Sequence, residues 1–358
     1  MEETAIQSPG RVVKSEAITQ IDEMLTEMAR GDNFTGSVLI AQDGKVLLSK
    51  GYGLADRVQG IPNKPQTRFH LGSMTKQFTA MAILILQSQG KLSVKDLICN
   101  YIANCPAAWK NITIHHLLTH TSGLSGQQSD QHYRAIETGS SGPVTPAEQA
   151  QFLGLTRGWS LDTRPGEQYA YNNFGYILLA YIIEQVSGQS YAGFLEQAIF
   201  TPLGMHNTGY QNKSSRVAKV YPDGDSTTGE EFGAPPVSEG SGHLYSTSED
   251  LFLWDRALYT DRLLPQTELK LIFDPFVCEI GDNTPGMPAA LGFGYGYGWF
   301  VGQDRGRPVA AGAGGGPAFA TLIIRYPEDE LVAIMLTNQG GIDWTVWAAI
   351  SNALFREG

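Results

Sequence analysis

The sequence predicts a mixed α/β (α+β) fold in which helices flank one antiparallel sheet built from both ends of the chain. Segments with a β pattern lie near the two termini, and helical segments mixed with Gly, Ser and Pro loops fill the middle. We therefore expect a discontinuous sheet domain, residues 1–95 with 240–358, and a mostly helical inserted domain, residues 96–239. The active site is expected between the two domains.

The N-terminal segment has the pattern of a helix followed by a hairpin. Apolar residues between 16 and 30 recur at a spacing that gives one stripe on a helix. Residues 36–41 and 45–50 have the composition of strands, and Asp43-Gly44 between them is a strong turn signal. This segment should supply the first antiparallel pair of the sheet.

The remaining segments complete the expected architecture. Residues 73–89 form a helical pattern that is apolar on most sides, so this helix is expected to be buried. Strands are expected at 298–301, 319–324 and 331–336, and a final helix at about 343–355. Because these strands come from the other end of the chain, they should join the N-terminal pair in one sheet.

Length and charge exclude several classes of function. The 358 residues suffice for one large domain or two close subdomains. A net charge of −11 repels phosphate backbones, which disfavours nucleic acid as a partner. The longest apolar runs, 80–86 and 176–183, are far shorter than the ~20 residues of a membrane span. Residues 1–4 show no signal-peptide pattern, so we expect a cytoplasmic protein, or a periplasmic or secreted one if a leader has been removed.

The chain has three cysteines, Cys99, Cys105 and Cys278. Their number and spacing fit neither a disulfide framework nor a C-x-x-C zinc pattern. We therefore expect free thiols in a reducing compartment.

Ser73 and Lys76 form the first candidate catalytic pair. Their i, i+3 spacing puts both side chains on one face of a helix. A serine hydroxyl needs a group that takes its proton, and a buried lysine becomes such a base because desolvation disfavours its ammonium form. Ser-x-x-Lys also occurs as an ordinary helix N-cap with a solvated lysine. Gly72, which allows close backbone approach, and the buried helix that follows favour the catalytic interpretation.

Tyr171 and Asn173 form the second candidate pair. They follow a Pro165-Gly166 turn and precede an apolar helical segment that Gly188 closes. A phenol near a lysine can exist partly as phenolate and transfer protons, and the amide of Asn173 can bind an ester or amide carbonyl. Taken alone, a core tyrosine and a helix cap would be the simpler interpretation.

Five motifs follow one another in order: Ser73-x-x-Lys76 after Leu71-Gly72, the segment 114–124 with the sequence IHHLLTHTSGL, Pro165-Gly-x-x-Tyr-x-Tyr-x-Asn173, Pro202-Leu-Gly-Met205, and the segment 244–251 with the sequence LYSTSEDL. From about residue 16 to the end, the chain thus resembles the serine β-lactamase/penicillin-binding-protein superfamily. The most similar branch is the class C β-lactamase-like group, which includes D,D-peptidases and family VIII carboxylesterases. The resemblance implies the same sheet with an inserted helical domain, a covalent acyl-enzyme on Ser73, and proton transfer by Lys76 and Tyr171.

The third motif of the superfamily departs from its usual form in this chain. Related enzymes carry Lys or His, then a small residue, then Gly, on an edge strand. Alignment on Phe319 places Gly312-Ala313-Gly314 there, so the cation is missing. A buried substrate carboxylate would lack a partner at this position, which favours neutral esters or amides.

The resemblance also implies an oxyanion hole in the same glycine run. The backbone N–H groups of Ser73 and Gly315 would form it, with Gly314 beside them. A shift of one residue in the run would name Gly316 in place of Gly315.

Two further positions depart from the superfamily pattern. His243 stands where glycine is common, and Ala318 stands where glycine often precedes Phe. Either change is expected to reshape the pocket.

Other catalytic classes find little support. His116 and His120 have the i, i+4 spacing of a metal pair, but the Glu of H-E-x-x-H is absent, and a structural turn is the simpler explanation. We expect no metal and no cofactor. No G-x-S-x-G elbow occurs, which argues against an α/β-hydrolase.

The sequence therefore predicts a serine hydrolase, with a carboxylesterase acting on small esters or amides as the first choice. Three alternatives stay open: a β-lactamase or D,D-peptidase, an acyltransferase, and a catalytically silent binding protein. The first of these would need another carboxylate anchor, for which Arg305, Arg307 and Arg325 are nearby in sequence. The substrate is expected to be a small molecule, and the oligomeric state is left open.

Overall fold

A computed structural model gives the fold, and it describes residues 12–126, 128, 153–154, 156, 158–210, 217–221, 239–278, 280, 293–316, 318–340 and 344–356. The described helices are α1 (Ser15–Arg30), α2 (Thr75–Ser88), α3 (Ile114–Leu118), α4 (Asn173–Ser187), α5 (Tyr191–Leu195), α6 (Thr201–Leu203), α7 (Ser248–Ala257), α8 (Gln266–Leu269) and α9 (Trp344–Leu354). The described strands are β1 (Gly36–Gln42), β2 (Lys45–Tyr52), β3 (Leu54–Asp56), β4 (Ile61–Pro62), β5 (Phe69–His70), β6 (Gly209–Tyr210), β7 (Leu244–Ser246), β8 (Gly294–Tyr295), β9 (Phe300–Asp304), β10 (Arg307–Gly316), β11 (Phe319–Tyr326) and β12 (Leu331–Thr337). None of these helices has the length and apolar character required to cross a membrane.

The main sheet joins the two ends of the chain, as the sequence predicts. Seven of the described strands form it in the order β2-β1-β12-β11-β10-β9-β8, and each neighbouring pair is antiparallel. The junction is the β1–β12 pair, in which Gly36 lies opposite Thr337 and Gln42 opposite Leu331. The mixed α/β fold with an antiparallel sheet is therefore confirmed.

Helices cover both faces of this sheet. On one face, Leu25 of α1 and Ile350 of α9 belong to the same buried cluster as Val38 of β1. On the other face, the next residue of β1, Leu39, belongs to a larger cluster that includes Phe78 of α2. Successive strand residues point to opposite faces, so a strand covered on both sides is apolar throughout.

Element boundaries agree with the sequence to within a few residues, with one informative exception. The turn at Asp43-Gly44 has φ values of 50° and 72°, which the tight hairpin requires. The strand predicted at 298–301 begins only at Phe300. Gly298 has a φ of 77°, and a Cβ there would lie 2.7 Å from the Lys76 carbonyl oxygen. This residue therefore belongs to a turn that packs on α2 and not to the strand.

β10 is a strand despite its glycines because it approaches other backbone closely. It pairs with β11 as far as Gly316, whereas β9 reaches only Ala311 on its other side. A Cβ at Gly314 would lie 2.0 Å from the carbonyl oxygen of Leu71. The superfamily places this motif on an edge strand; here β10 lies inside the sheet, and only its last residues, 312–316, extend past β9 toward α2.

The region between 96 and 239 contains helices α3 to α6 and the strand β6 among its described elements. β6 pairs with β7, which in turn pairs with β5, in a small second sheet of order β5-β7-β6. The Ala218 N–H also donates to the Arg68 carbonyl at 2.8 Å, so this region is hydrogen-bonded to segments on both of its flanks. Leu178 of α4 shares a hydrophobic cluster with Phe78 of α2. The domain boundaries at 95/96 and 239/240 stay a prediction.

The prediction of free thiols is wrong for two of the three cysteines. Cys99 and Cys105 form a disulfide, with Cα atoms 5.3 Å apart, and Cys278 is free and exposed. The six-residue separation suits a small loop whose ends lie within bonding distance, a geometry that pattern counting does not reveal. Disulfides persist in oxidising compartments, so the argument from reduced thiols no longer supports a cytoplasmic location.

Candidate active site

Ser73 lies in a 3-10 helix, Gly72–Met74, that directly precedes α2. Gly72 has a φ of 53°, and a Cβ on it would lie 2.7 Å from the backbone nitrogen of Gly315 in β10. Only glycine meets both demands, because any side chain would be strained and would collide with the strand. This turn places the serine at the junction between the sheet and α2.

Lys76 extends from the first turn of α2 to the serine. Its Nζ lies 3.0 Å from Ser73 Oγ, 2.8 Å from Asn173 Oδ1 and 2.7 Å from the carbonyl oxygen of Ser241. The lysine is only 1% exposed. The structure thus brings together Ser73, Lys76 and Asn173, and it adds the Ser241 carbonyl, which no side-chain pattern could indicate.

Burial lowers the pKa of Lys76 well below its ordinary value, because the ammonium form loses its hydration. A neutral amine has two N–H groups and one lone pair. The oxygens of Asn173 and Ser241 can only accept, so they take the two N–H groups. The lone pair then faces the Ser73 hydroxyl, which is the arrangement that a proton acceptor for this hydroxyl requires.

Tyr171 contacts both members of this pair. Its hydroxyl is hydrogen-bonded to the Ser73 side chain, and Lys76 Nζ lies 4.9 Å from the centre of its ring. Burial raises the pKa of Tyr171, and the hydrogen bond with Ser73 offsets only part of that rise. The phenol is therefore protonated at neutral pH and is suited to donate a proton, in contrast to the phenolate that the sequence suggested.

The loop that enters α4 explains the positions of Tyr171 and Asn173. Asn172 between them is the N-cap: its Oδ1 accepts an N–H from the first turn of α4 at 3.2 Å, and its Nδ2 donates to the Leu124 carbonyl at 3.1 Å. This anchor fixes the residues on either side. Because Asn173 Oδ1 holds the lysine, the Nδ2 of Asn173 is the group it can offer to a substrate carbonyl.

His120 packs against the ring of Tyr171. Its ring centre lies 4.3 Å from that of Tyr171, and its backbone has a φ of 57°. The Asn172 N–H donates to His120 Nδ1 at 3.1 Å, so the proton resides on Nε2, which lies 3.2 Å from the Tyr295 hydroxyl. Burial holds the pKa of His120 well below its usual value, so the ring is neutral. The sequence predicts only a structural turn here.

His116, the other member of the predicted i, i+4 histidine pair, has a structural contact. Its Nδ1 accepts the Thr113 N–H at 3.2 Å, and the Thr113 hydroxyl accepts the His116 N–H, which forms a capping box at the start of α3. Within the part of the chain that the structure describes, no group of three or more His, Cys, Asp or Glu residues could hold a metal ion.

A small, open cleft of about 90 Å³ leads to the serine. Its lining residues are His70, Gly72, Ser73, Asn173, Ser241, Gly242, His243, Gly315 and Phe319. None of these lining residues is Lys or Arg. Burial lowers the pKa of His70 to about 4, so its imidazole is neutral at pH 7. The cleft walls are therefore polar in part, with no permanent positive charge among the lining residues.

The structure explains why the third motif carries no cation at position 312. A Cβ at Gly312 would lie 1.7 Å from Gln77 Nε2. Gln77 is fully buried, and its Oε1 accepts the indole N–H of Trp254 at 3.0 Å. A side chain at position 312 would have to displace Gln77, so this chain has no room for a lysine or histidine there.

Gly314 and Gly315 both lie near Ser73, but they differ in the space that surrounds them. A Cβ at Gly314 would lie 2.0 Å from Leu71 O and 2.9 Å from Ser73 N, whereas at Gly315 the nearest atom would be Phe319 O, 3.4 Å away. Gly315 lines the cleft and Gly314 packs beneath it. The pairing of the Ser73 and Gly315 N–H groups as an oxyanion hole stays a prediction.

The three arginines considered as alternative carboxylate anchors each have a partner, and none lines the cleft: Arg325 with Asp255, Arg307 with Asp329, and Arg305 with Asn352. The pair of Arg325 and Asp255 is almost wholly buried, with an N–O distance of 2.9 Å. These arginines are therefore committed to other contacts.

Of the two positions where the superfamily favours glycine, one lines the cleft. His243 does so, with a φ of 75°. Ala318 is 1% exposed and packs with Val220 and Phe319.

The site can now be compared with known proteins. A family model described as Beta-lactamase matches residues 21–347. The chain belongs to the beta-lactamase family. Its members in the beta-lactamase and penicillin-binding-protein group are serine hydrolases, and in this chain Lys76 Nζ lies within hydrogen-bonding distance of Ser73 Oγ.

Relatives of this beta-lactamase family member include proteins with different named activities. Penicillin-binding protein 4* of Bacillus subtilis (strain 168) is 30% identical over 330 residues, which make up 86% of this chain and 68% of that protein. Teichoic acid D-alanine hydrolase of Staphylococcus aureus (strain MRSA252) is 30% identical over 321 residues, or 86% and 71% of the two chains. A solved penicillin binding protein from Bacillus halodurans has a TM-score of 0.76 at 29% identity, covering 91% of this chain and 98% of that one.

Proposed function

We propose that this member of the beta-lactamase family hydrolyses small, neutral carboxylic esters through an acyl intermediate on Ser73. One observation carries the proposal: within the part of the chain that the structure describes, no Lys or Arg lines the cleft around a serine paired with a buried lysine. A carboxylate that enters such a cleft loses hydration without gaining a cationic partner. A neutral ester avoids that cost.

Acylation follows from the positions of four groups. As Ser73 Oγ attacks the ester carbonyl carbon, the neutral amine of Lys76 takes the hydroxyl proton. The backbone N–H groups of Ser73 and Gly315 stabilise the negative charge on the carbonyl oxygen. When the intermediate collapses, the bond to the alcohol oxygen breaks and the phenol of Tyr171 donates its proton to that oxygen. The ammonium of Lys76 then returns its proton to Tyr171.

Deacylation again uses Lys76 as the proton acceptor. A water molecule attacks the acyl carbon, and Lys76 takes a proton from it as the bond to Ser73 Oγ breaks. That proton returns to the serine, and the carboxylic acid leaves. An alcohol or amine in place of water would give acyl transfer. The choice between hydrolysis and acyl transfer therefore depends on which nucleophile can enter the cleft.

The named activities of the relatives do not by themselves select a substrate. One is a penicillin-binding protein and another is a teichoic acid D-alanine hydrolase, although each is 30% identical to this chain. The cleft is therefore the better guide. Its features that bear on substrate charge are the blocked position at Gly312 and the neutral imidazole of His70.

Two matched esters test the proposal. p-Nitrophenyl butyrate and p-nitrophenyl hemisuccinate have acyl groups of similar length, but only the second ends in a carboxylate. We expect kcat/KM to be at least about tenfold higher for the butyrate, because the anion has no cationic partner. Faster turnover of the hemisuccinate, or of a penicillin, would instead support a peptidase or lactamase.

Two variants and one addition complete the experiment. Ser73→Ala should abolish turnover of both esters, whereas Ser88→Ala, at the C-terminal end of α2, should retain it. Addition of small alcohols measures how the acyl group partitions between water and an acceptor. No turnover of any substrate would favour the catalytically silent alternative.

A further inference from the structure

His243 lines the cleft in a backbone conformation that histidine rarely adopts. Its φ is 75°, and the residue is 7% exposed. In this left-handed region the Cβ of an L-residue is crowded by its own backbone, and glycine alone escapes the strain. Strain of this kind persists only where the surroundings impose it, and it clusters at functional sites.

The backbone around His243 is fixed from both sides. The Ser241 carbonyl accepts from Lys76 Nζ at 2.7 Å, and the Leu244 carbonyl accepts the Leu71 N–H at 2.8 Å. One contact ends on the lysine and the other on the residue before Gly72, so the loop cannot shift without moving the site. A glycine would adopt the same backbone without strain. These contacts hold the backbone conformation at position 243, and they involve no side-chain atom of residue 243.

His243 lines the same cleft as Ser73. Gly315 and Phe319 line the same cleft, and the Phe319 ring lies 5.6 Å from that of His70. A glycine at position 243 would leave its part of this space empty. The side chain thus reduces the volume that a substrate group next to Ser73 can occupy.

We propose that His243 is a specificity-determining residue that restricts the acyl group beside Ser73 to short chains, such as acetyl to butyryl. The proposal rests on the ester hydrolysis proposed above. It predicts that removal of the imidazole admits longer acyl chains, because the pocket then gains the space they need. One methylene in a closed pocket is worth roughly 10- to 200-fold in kcat/KM, so the change is measurable.

The test compares p-nitrophenyl acetate with p-nitrophenyl octanoate for the parent chain and three variants. His243→Gly should raise the octanoate-to-acetate ratio of kcat/KM by at least about tenfold. His243→Asn, which tolerates the same φ and is smaller, should give an intermediate ratio. Asp32→Gly is the matched control: it removes a side chain at a φ of 56° in the turn after α1, away from the cleft, and should leave the ratio unchanged.

Thermal unfolding separates a specificity role from a structural one. His243→Gly should unfold at the same temperature as the parent or at a higher one, because the strain is gone. A large drop in the midpoint together with an unchanged ratio would contradict the proposal. If His243→Gly fails to fold, the ratio measured for His243→Asn decides in the same way.

Covalent labelling keeps this proposal separable from the function proposed above. The labelling rates of Ser73 by an ethyl and an octyl fluorophosphonate give a chain-length ratio that needs no ester turnover. A ratio that rises in His243→Gly supports the role of His243 even if the parent hydrolyses no ester. An unchanged ratio overturns it even if ester hydrolysis is found, and the absence of any labelling or turnover contradicts both proposals.

Discussion

The imidazole of His120 lies against the ring of Tyr171, with ring centres 4.3 Å apart and 36° between the planes. The same imidazole accepts the N–H of Asn172, the helix cap that follows Tyr171. The position of the Tyr171 phenol is therefore fixed by two features. The neutral, buried ring of His120 packs against it, and the chain that follows it is anchored by the N-cap of α4. This contact makes His120 a positioning residue for Tyr171.

His120→Asn tests this positioning. Asparagine tolerates the φ of 57° but removes the ring. We expect kcat to fall by about tenfold or more, because small displacements of a catalytic group are costly, with little change in KM. In a Tyr171→Phe background the same substitution should have little further effect on kcat. Equal losses in both backgrounds would mean that His120 serves stability alone.

Tyr171→Phe tests the proton donor. The variant keeps the ring next to Lys76 and loses only the hydroxyl that contacts Ser73. General acid–base catalysis contributes about 10² to 10⁴ in rate, so we expect kcat/KM to fall within that range with the fold intact. Tyr181→Phe, at a partly exposed position of the same helix as Asn173, is the control. Unchanged activity in Tyr171→Phe would exclude the phenol from proton transfer.

The pH dependence of kcat/KM tests Lys76 as a base. Burial lowers its pKa, so the neutral amine persists to a lower pH than in an exposed lysine and is lost as the pH falls through that lowered pKa. We expect kcat/KM to decline on the acid side, and Lys76→Arg to be inactive at every pH because guanidinium stays protonated. A flat acid limb, or substantial activity in Lys76→Arg, would argue against this assignment.

The same lowered pKa should make stability depend on pH. Between the folded pKa of Lys76 and its ordinary value, the unfolded chain binds one more proton than the folded chain. Stability therefore rises with pH across this window, by up to about 1.4 kcal/mol per pH unit from this group. The parent should gain stability relative to Lys76→Met as the pH rises from 6 to 9, measured by denaturant unfolding. A constant difference would show that the lysine is charged in the folded state.

Substitutions at two adjacent glycines, Gly314 and Gly315, test how closely β10 approaches the segment that contains Ser73. Gly314→Ala should destabilise the protein by about 1–3 kcal/mol and reduce activity strongly, because its Cβ would meet Leu71 O at 2.0 Å. Gly315→Ala should fold normally, since its nearest neighbour would be 3.4 Å away. Chemical unfolding and ester kinetics measure both effects. Equal effects of the two substitutions would contradict this geometry.

Thiol titration tests the disulfide. Unfolded, unreduced protein should show one reactive thiol, Cys278, and three after reduction. Replacing both Cys99 and Cys105 with Ser should cost about 2 kcal/mol of stability, as expected for a short loop. Three thiols without reductant, in protein isolated under oxidising conditions, would restore the prediction of free cysteines.

Local patterns predicted much of the framework. The Asp43-Gly44 turn, the stripe of α1 and the apolar sides of α2 each reflect contacts close in sequence, and all three appear in the structure. The β1–β12 pair joins residues about 300 positions apart, so only the order of elements and the superfamily resemblance indicated it. β10 has few residues that favour strands, and its glycines are explained by the close approach of other chain segments to its backbone.

The sequence predicts those parts of the site that depend on the type of side chain. Ser73 and Lys76 lie within hydrogen-bonding distance, as their spacing predicts, whereas the contact of Asn173 with Lys76 was not predicted. The Ser241 carbonyl was not predictable because every residue has one. The contact of His120 with Tyr171 depends on how two distant loops pack, and the protonated state of the phenol depends on burial, which sequence does not display.

The most direct test of the central claim is mass spectrometry of the intact protein after brief exposure to a fluorophosphonate and, separately, to p-nitrophenyl butyrate. We expect one adduct per chain that maps to Ser73, absent in Ser73→Ala and present in Ser88→Ala. An adduct on another residue, or none with either reagent, would contradict an acyl-enzyme on Ser73.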